Sequence, residues 1–96
     1  MSCLHTINRS PDYKLLESCL KVINADDAIL FIEDGVYHCL SLSDLPAVIE
    51  TVKVYGLRED ILARATLSKT MDRVDVIDTA RFVELSCEHD KVVSWF

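Results

Sequence analysis

Glycine is scarce in this sequence, which contains only Gly35 and Gly56 among 96 residues. A dinucleotide-binding G-x-G-x-x-G motif and a phosphate-binding P-loop each require several glycines at a fixed, short spacing. Two glycines this far apart satisfy neither motif. We therefore do not expect a nucleotide-binding enzyme, and the sequence predicts no cofactor.

Positive charge is also scarce. Ten lysines and arginines stand against sixteen acidic residues, the formal net charge is -6, and the basic residues are scattered singly. A protein that grips a nucleic acid backbone needs concentrated positive charge. Direct binding to RNA or DNA is therefore not expected.

The four cysteines form no C-x-x-C pair, so the zinc-binding and thioredoxin-type patterns are missing. Residues 1–11 lack the long apolar core of a signal peptide, and no apolar run approaches membrane-spanning length. These features predict a cytoplasmic protein with reduced thiols and no membrane contact.

Residues 28–40, AILFIEDGVYHCL, are the segment around which the rest is organised. The unbroken apolar run at its start is typical of a strand that is covered on both faces. The turn Glu33-Asp34-Gly35 ends this strand, because glycine adopts backbone angles that other residues avoid. Residues 36–40 then have the spacing of a short helix. A strand that leads into a helix is the unit of a parallel α/β sheet, in which ligands usually bind at the carboxyl ends of the strands.

The rest of the pattern predicts a single α/β domain over residues 1–96, with five strands in a mostly parallel sheet. Because so short a chain leaves much of its surface exposed, we expect it to associate with other subunits. The predicted strands cover residues 3–7, 28–32, 52–57, 74–77 and 91–96, and the predicted helices cover residues 12–23, 58–65 and 79–88, with a helical turn at 47–51.

Local signals set the helix boundaries. Ser10 is a suitable N-cap for the first helix, and Asn24 is a suitable stop in the left-handed conformation. Asp78 is the expected N-cap of the third helix. The residues expected to face inward from the second helix are Ile61, Leu62 and Ala65.

Candidate catalytic groups are few. His5, His38 and His89 are far apart in sequence, and structural or surface roles are the expected ones. The adjacent carboxylates Glu33 and Asp34 are either an acid–base pair or, as we favour, solvated charges at a helix start.

Among the candidate groups, Cys19 is the one with the most scope for chemical reactivity. It lies on the apolar face of the first predicted helix, where a free cysteine commonly serves as a small hydrophobic residue. A reactive thiol needs exposure and a nearby positive charge or helix N-terminus. A position in mid-helix favours packing, and the alternative is a persulfide carrier.

Trp95 and Phe96 are large apolar residues at the end of the sequence, where disorder is expected unless something holds them. We predict an edge strand whose aromatic rings pack against the domain or a partner. The alternative is a frayed tail.

Four blocks carry a resemblance to a known family: LHTINRSP at 4–11, FIEDGVYHCL at 31–40, VKVYGLREDILARA at 52–65 and VIDTARFVELSCEHDKVVSWF at 76–96. In their order and spacing they resemble the TusB/DsrH small subunit of the sulfur-relay complexes, within the DsrE-type family. Ala65 departs from the family pattern, which usually has glycine at this position. The resemblance implies a three-layer α/β/α, DsrE-like fold.

The resemblance also implies assembly with two paralogous subunits, of the TusC/TusD or DsrF/DsrE type, into a hexamer of paired heterotrimers. Such a complex passes persulfide sulfur between donor and acceptor proteins, and its main sulfur-carrying cysteine is on another subunit. In the tRNA branch the sulfur ends as the 2-thio group of wobble uridine. In the other branch related subunits serve dissimilatory sulfur oxidation, and Cys19 matches a cysteine in the first helix of that form.

Three functions remain open from sequence. We favour a sulfur-relay subunit that supports assembly, with the tRNA branch as the default, and this leaves open whether the chain is itself an enzyme. The second is an active sulfurtransferase subunit that uses Cys19. The third is a stand-alone α/β binding domain without sulfur chemistry.

Overall fold

Five short apolar segments form one parallel sheet in the computed structural model, which describes residues 1–40, 51–64, 67–70 and 73–96. The strands are β1 (Cys3–Ile7), β2 (Ala28–Phe31), β3 (Lys53–Leu57), β4 (Asp75–Ile77) and β5 (Lys91–Trp95), and their order is β4-β3-β2-β1-β5. The helices are α1 (Leu15–Leu20), α2 (Arg58–Ala63) and α3 (Thr79–Glu88), with 3-10 segments at Pro11–Tyr13, Glu33–Leu40 and Leu67–Lys69. The predicted α/β class and five-stranded parallel sheet are confirmed.

Helices cover both faces of the sheet, because successive side chains of a strand point to opposite faces. One face packs against α1, α2 and the 3-10 segment Glu33–Leu40, and its core includes Ile7, Leu16, Cys19, Ile29, Phe31, Val36, Cys39 and Ile61. The other face packs against α3, and its core includes Leu4, Ala28, Leu30, Tyr55 and Leu85. The three layers implied by the family resemblance are therefore present.

The last crossover spans the whole sheet. Strands β4 and β5 lie at opposite edges, so α3 must cross every strand between them. β5 then pairs with β1 in parallel, from Cys3 opposite Lys91 to Ile7 opposite Trp95. Residues near both ends of the sequence thus lie side by side.

The first helix differs from the prediction. The 3-10 segment Pro11–Tyr13 ends at Lys14, whose φ of 57° is left-handed, and α1 begins only at Leu15. Ser10 makes no side-chain capping bond. The predicted continuous helix over residues 12–23 is wrong, because the left-handed residue interrupts it.

The predicted left-handed stop at Asn24 is also wrong. Lys14 and Glu33 are the non-glycine residues with positive φ in the described part of the chain. The turn after α1 is closed instead by Asp27, whose carboxylate accepts the Asn24 N–H at 3.0 Å and whose own N–H donates to the Asn24 carbonyl at 3.0 Å.

Gly35 is required for a reason other than the predicted one. No glycine in the described residues has positive φ, and the left-handed residue of this turn is Glu33, with φ of 50°. A Cβ atom on Gly35 would lie 1.9 Å from the carbonyl oxygen of Ile7. The position therefore needs glycine because two backbone segments approach closely.

The later helices follow the predictions more closely. Asp78 caps α3 by accepting the Arg81 N–H at 2.9 Å, as expected. In α2, Ile61 is fully buried as predicted, but the inward position of Leu62 is wrong, since this side chain is 50% exposed. Ala65 and most of the predicted turn at 47–51 lie outside the described residues. No helix in the described ranges is long and apolar enough to cross a membrane.

Candidate functional site

Asp27 is the centre of a buried polar cluster at the start of β2. Its side chain lies in the turn that precedes the strand and the residue is only 3% exposed. One carboxylate oxygen accepts the Cys3 N–H at 2.9 Å, and the other accepts the Asn24 N–H and a proton from His5 Nε2, each at 3.0 Å. Burial raises the pKa of Asp27, but these hydrogen bonds outweigh burial and hold the pKa below its ordinary value. Asp27 is therefore a buried carboxylate.

His5 links this carboxylate to the edge strand. It lies in β1, is 3% exposed, and its Nδ1 is 3.1 Å from the indole Nε1 of Trp95. An indole N–H can only donate, so Nδ1 must accept and the imidazole proton lies on Nε2, where it is donated to Asp27. We call this arrangement the Trp95–His5–Asp27 chain. It fixes a neutral histidine in one tautomer.

Cys19 packs close to the same carboxylate. Its side chain on α1 is fully buried, and burial together with the negative charge of Asp27 raises its pKa to about 12. The thiol is therefore protonated at neutral pH, which is the condition of a packed cysteine. Sulfur transfer by Cys19 stays a prediction, since it requires a state in which burial and Asp27 no longer oppose the thiolate.

The other cysteines, all within described residues, are also free thiols. Cys39 is buried in the 3-10 segment Glu33–Leu40, and burial raises its pKa to about 12. Cys3 is half-buried and Cys87 is exposed on α3. The thiols that solvent can reach are therefore those of Cys3 and Cys87, and not that of Cys19, the candidate from the sequence.

Cys3, His5 and Asp27 also bring three metal-ligating atoms within 4.8 Å of one another. A cysteine, a histidine and a carboxylate are a donor set that zinc accepts. A metal on Nε2 of His5 would displace the proton to Nδ1, where it would face the indole N–H of Trp95. The hydrogen bonds of the Trp95–His5–Asp27 chain therefore oppose a metal at this cluster.

The carboxyl end of β2 carries the other candidates. Asp34 is exposed and paired with Arg64 at 2.9 Å, and the Glu33 N–H donates to Asp60 at 2.7 Å. This arrangement fits solvated charges at a helix start and not a buried acid–base pair.

His38 lies nearby and is buried. Its ring stacks on Phe31 with centroids 4.9 Å apart. Burial lowers the pKa of His38, while a hydrogen bond to the backbone of Arg9 opposes the shift. Nε2 of His38 has no hydrogen-bond partner among the described residues. The ring is therefore neutral and structural, in line with the sequence expectation.

The two aromatic residues of the predicted edge strand have different surroundings. Trp95 packs against the core on the α1 face of the sheet. Phe96 follows β5 and is 81% exposed. A contact between Phe96 and a partner stays a prediction.

Sequence reasoning did not single out Asp27. A usable signal exists, because Asp27 directly precedes the continuous apolar run of β2. A carboxylate directly before a fully buried strand must find hydrogen-bond donors. The partners themselves come from distant parts of the sequence.

Comparison with known proteins decides the family. A family model described as "DsrH like protein" matches residues 9–92. The chain belongs to the DsrH-like family. A protein named TusB from Pectobacterium parmentieri is 32% identical over 94 residues, covering 96% of this chain and 99% of that protein. A protein named TusB from Escherichia coli strain K12 is 30% identical over 99 residues, with the same coverage.

A solved structure shares the fold of this DsrH-like chain. The crystal structure of the YchN protein from E. coli matches with a TM-score of 0.69 over 99% of this chain and 100% of that one, at 15% identity. This match concerns the fold alone. The resemblance to TusB/DsrH seen in the sequence is confirmed, and family membership supports a sulfur-relay subunit.

Proposed function

We propose that this DsrH-like chain is a subunit of a cytoplasmic sulfur-relay complex that passes persulfide sulfur toward 2-thiolation of tRNA wobble uridine. The observation that carries the proposal is the similarity to TusB proteins, at 30–32% identity over nearly the full length of both chains. Its partners in this proposal are two paralogous subunits of the TusC/TusD type. Together they receive sulfur from a donor protein and deliver it to an acceptor protein.

The two buried thiols, Cys19 and Cys39, support a role in assembly more than in chemistry. Persulfide transfer begins with attack by a thiolate. Burial raises the pKa of both Cys19 and Cys39 to about 12, so neither is ionised near neutral pH. This supports a complex in which the main sulfur-carrying cysteine belongs to a partner subunit.

The surface supports contact with proteins and not with tRNA directly. The net charge of -6 opposes binding to a phosphate backbone. Phe96, 81% exposed beside the edge strand β5, offers a large apolar ring to a partner. We therefore place Trp95 and Phe96 at an interface with a paralogous subunit.

The test is co-expression of the chain with its two paralogs, followed by size exclusion and measurement of 2-thiouridine in bulk tRNA. We expect a stable ternary complex, and a strain that lacks this gene should lose the 2-thio group and regain it on complementation. A chain that stays monomeric and binds neither paralog, together with a normal level of 2-thiouridine in the tRNA of the deletion strain, would contradict the proposal.

A second candidate is a DsrH-type subunit that acts in dissimilatory sulfur oxidation. Cys19 favours this candidate, because it lies on α1 and the family resemblance implies a cysteine at the same position in the sulfur-oxidiser form. In that case deletion should leave 2-thiouridine unchanged and impair oxidation of stored sulfur. Intact-mass spectrometry should also detect one added sulfur on wild type and none on Cys19→Ala after incubation with a persulfidated donor.

A further inference from the structure

A pocket opens at the amino ends of β2 and β3, beside α3, and the function proposed above makes no use of it. Its volume is about 370 Å³, and pockets that bind small molecules span roughly 300–1,000 Å³. The turn before β2 contributes Asp26, β3 contributes Lys53 and Tyr55, and α3 contributes Arg81 and Glu88. We call it the amino-end pocket. Its size is that of a site for a small molecule.

Tyr55 brings a polar group without a partner to the amino-end pocket. The residue is only 5% exposed, because its ring belongs to the core under α3. Its hydroxyl makes no hydrogen bond within the described ranges, although buried polar groups nearly always have a partner. The fully enclosed side-chain atoms without a partner in these ranges are Asn8 Oδ1 and His38 Nε2, so the Tyr55 hydroxyl is not sealed in. It therefore faces the pocket, where it can donate to a bound molecule.

Lys53 and Asp26 bring unpaired charges of opposite sign. Lys53 lies two residues before Tyr55 in β3, so both side chains are on the α3 face of the sheet. Lys53 is exposed and forms no ion pair with any described residue, and the same is true of Asp26. The amino-end pocket thus offers a free ammonium group, a free carboxylate and a free hydroxyl.

Arg81 is already occupied on one side. Its Nη1 donates to Glu88 at 2.6 Å and lies 3.8 Å from Glu84. The pKa of Arg81 is raised, first by the hydrogen bond to Glu88 and to a smaller extent by the nearby Tyr55. The phenol end of Tyr55 therefore lies close to the guanidinium group, at the wall of the pocket that α3 forms.

The charges around the pocket favour a neutral molecule that carries both signs. Lys53 and Arg81 stand against three carboxylates, those of Asp26, Asp27 and Glu88. A purely anionic molecule meets an excess of negative charge, and a purely cationic one leaves Lys53 unpaired and repels it. A zwitterion pairs with both free charges and adds no net charge.

We propose that the amino-end pocket binds a free α-amino acid, with the carboxylate on Lys53 and the Tyr55 hydroxyl and the ammonium group on Asp26. The buried side chains of Ala28 and Leu85 supply an apolar part of the lining, which suits a small amino-acid side chain. This site goes beyond the sulfur-relay function and requires none of the thiols of the chain.

The experiment is saturation-transfer difference NMR on the full chain with the common L-amino acids, each at about 1 mM, the upper end of useful dissociation constants. Isothermal titration calorimetry then measures the affinity of the strongest binder. We expect at least one amino acid to bind. Its decarboxylated amine and its deaminated acid should each bind at least about tenfold more weakly, because each leaves one charge of the pocket unpaired.

Two variants test the named contacts, and each has a matched control. Tyr55→Phe removes only the hydroxyl and Lys53→Gln removes only the charge, and each should weaken binding about tenfold. Tyr13→Phe and Lys69→Gln make the same changes at exposed residues that do not line the pocket, and they should leave the affinity unchanged.

Three results would each overturn the proposal: no amino acid binds wild type, both pocket variants bind as wild type does, or the amine or the acid binds as well as the amino acid. If Tyr55→Phe does not fold, Lys53→Gln at its exposed position decides the matter. None of these results bears on the sulfur-relay proposal, whose readouts are assembly with the paralogs and 2-thiouridine.

Discussion

Replacement of Gly35 by alanine should destabilise the protein far more than the same replacement at Gly56. The new Cβ at Gly35 would lie 1.9 Å from the Ile7 carbonyl oxygen and 2.8 Å from its carbonyl carbon. A carbon and an oxygen need about 3.3 Å, so the two backbones must separate by roughly 1.4 Å. Neither is free to move, because Ile7 accepts the Ile32 N–H at 3.0 Å and Gly35 donates to Ile32 at 2.8 Å.

The magnitude follows from these contacts. Overpacking costs about 1–3 kcal/mol, and each of the two strained hydrogen bonds contributes about 1 kcal/mol. We therefore expect Gly35→Ala to lower the free energy of unfolding by about 3–5 kcal/mol. At Gly56 the nearest atoms all belong to side chains, Cδ1 of Ile61 at 2.9 Å, Sγ of Cys39 at 3.1 Å and Cγ1 of Val74 at 3.3 Å, and side-chain atoms can give way more readily than a paired backbone. There the loss should be about 1 kcal/mol.

Urea unfolding of wild type and both variants, followed by far-ultraviolet circular dichroism at one protein concentration, measures these differences. Gly56→Ala is the matched control, because it adds the same methyl group and restricts the unfolded chain equally. The reasoning is refuted if Gly35→Ala loses less than about 1 kcal/mol, or if Gly56→Ala is the more damaging change.

Three further predictions concern the buried polar cluster and the edge strand. Asp27→Asn should lower the free energy of unfolding by about 2–4 kcal/mol at neutral pH. The NH2 group of the asparagine must then face at least one of the three N–H donors that the Asp27 carboxylate accepts. Because folding lowers the pKa of Asp27, the difference from wild type should be complete above about pH 4 and shrink as pH falls further; an undiminished difference in acid would contradict this. Cys19→Ser should cost about 1–3 kcal/mol and Cys19→Ala less, measured by the same unfolding assay, and equal effects would argue against a tightly packed thiol. Removal of residues 95–96 should weaken folding or assembly with the paralogs in size exclusion, whereas removal of Phe96 alone should affect assembly only.

Local patterns were sufficient to predict some elements. The bounds of β1 and α3 agree with the sequence prediction, because their apolar spacing and the Asp78 cap act over a few residues. The break at Lys14 was not predictable in this way. Ser10 and Pro11 have the correct types for a helix start, and nothing in the local pattern marks a left-handed lysine after one 3-10 turn.

The buried polar cluster could be predicted only in part. The sequence indicated a structural role for His5 and a packed position for Trp95, yet it could not pair them. The bond from His5 to Asp27 spans 22 positions and the bond from Trp95 to His5 spans 90. Such contacts depend on strand order, and the placement of β5 next to β1 is a property of the whole sheet.

The pairing of β1 with β5 has a consequence for synthesis on the ribosome. Of the described strands, β1 emerges first and β5 last, so one edge of β1 stays unpaired until nearly all the described residues have been made. During that interval the backbone groups along this edge can pair with other extended chains. The sheet is therefore completed late in translation or after it. A nascent chain stalled before residue 91 would expose the unpaired edge of β1 to chaperones and to other extended chains.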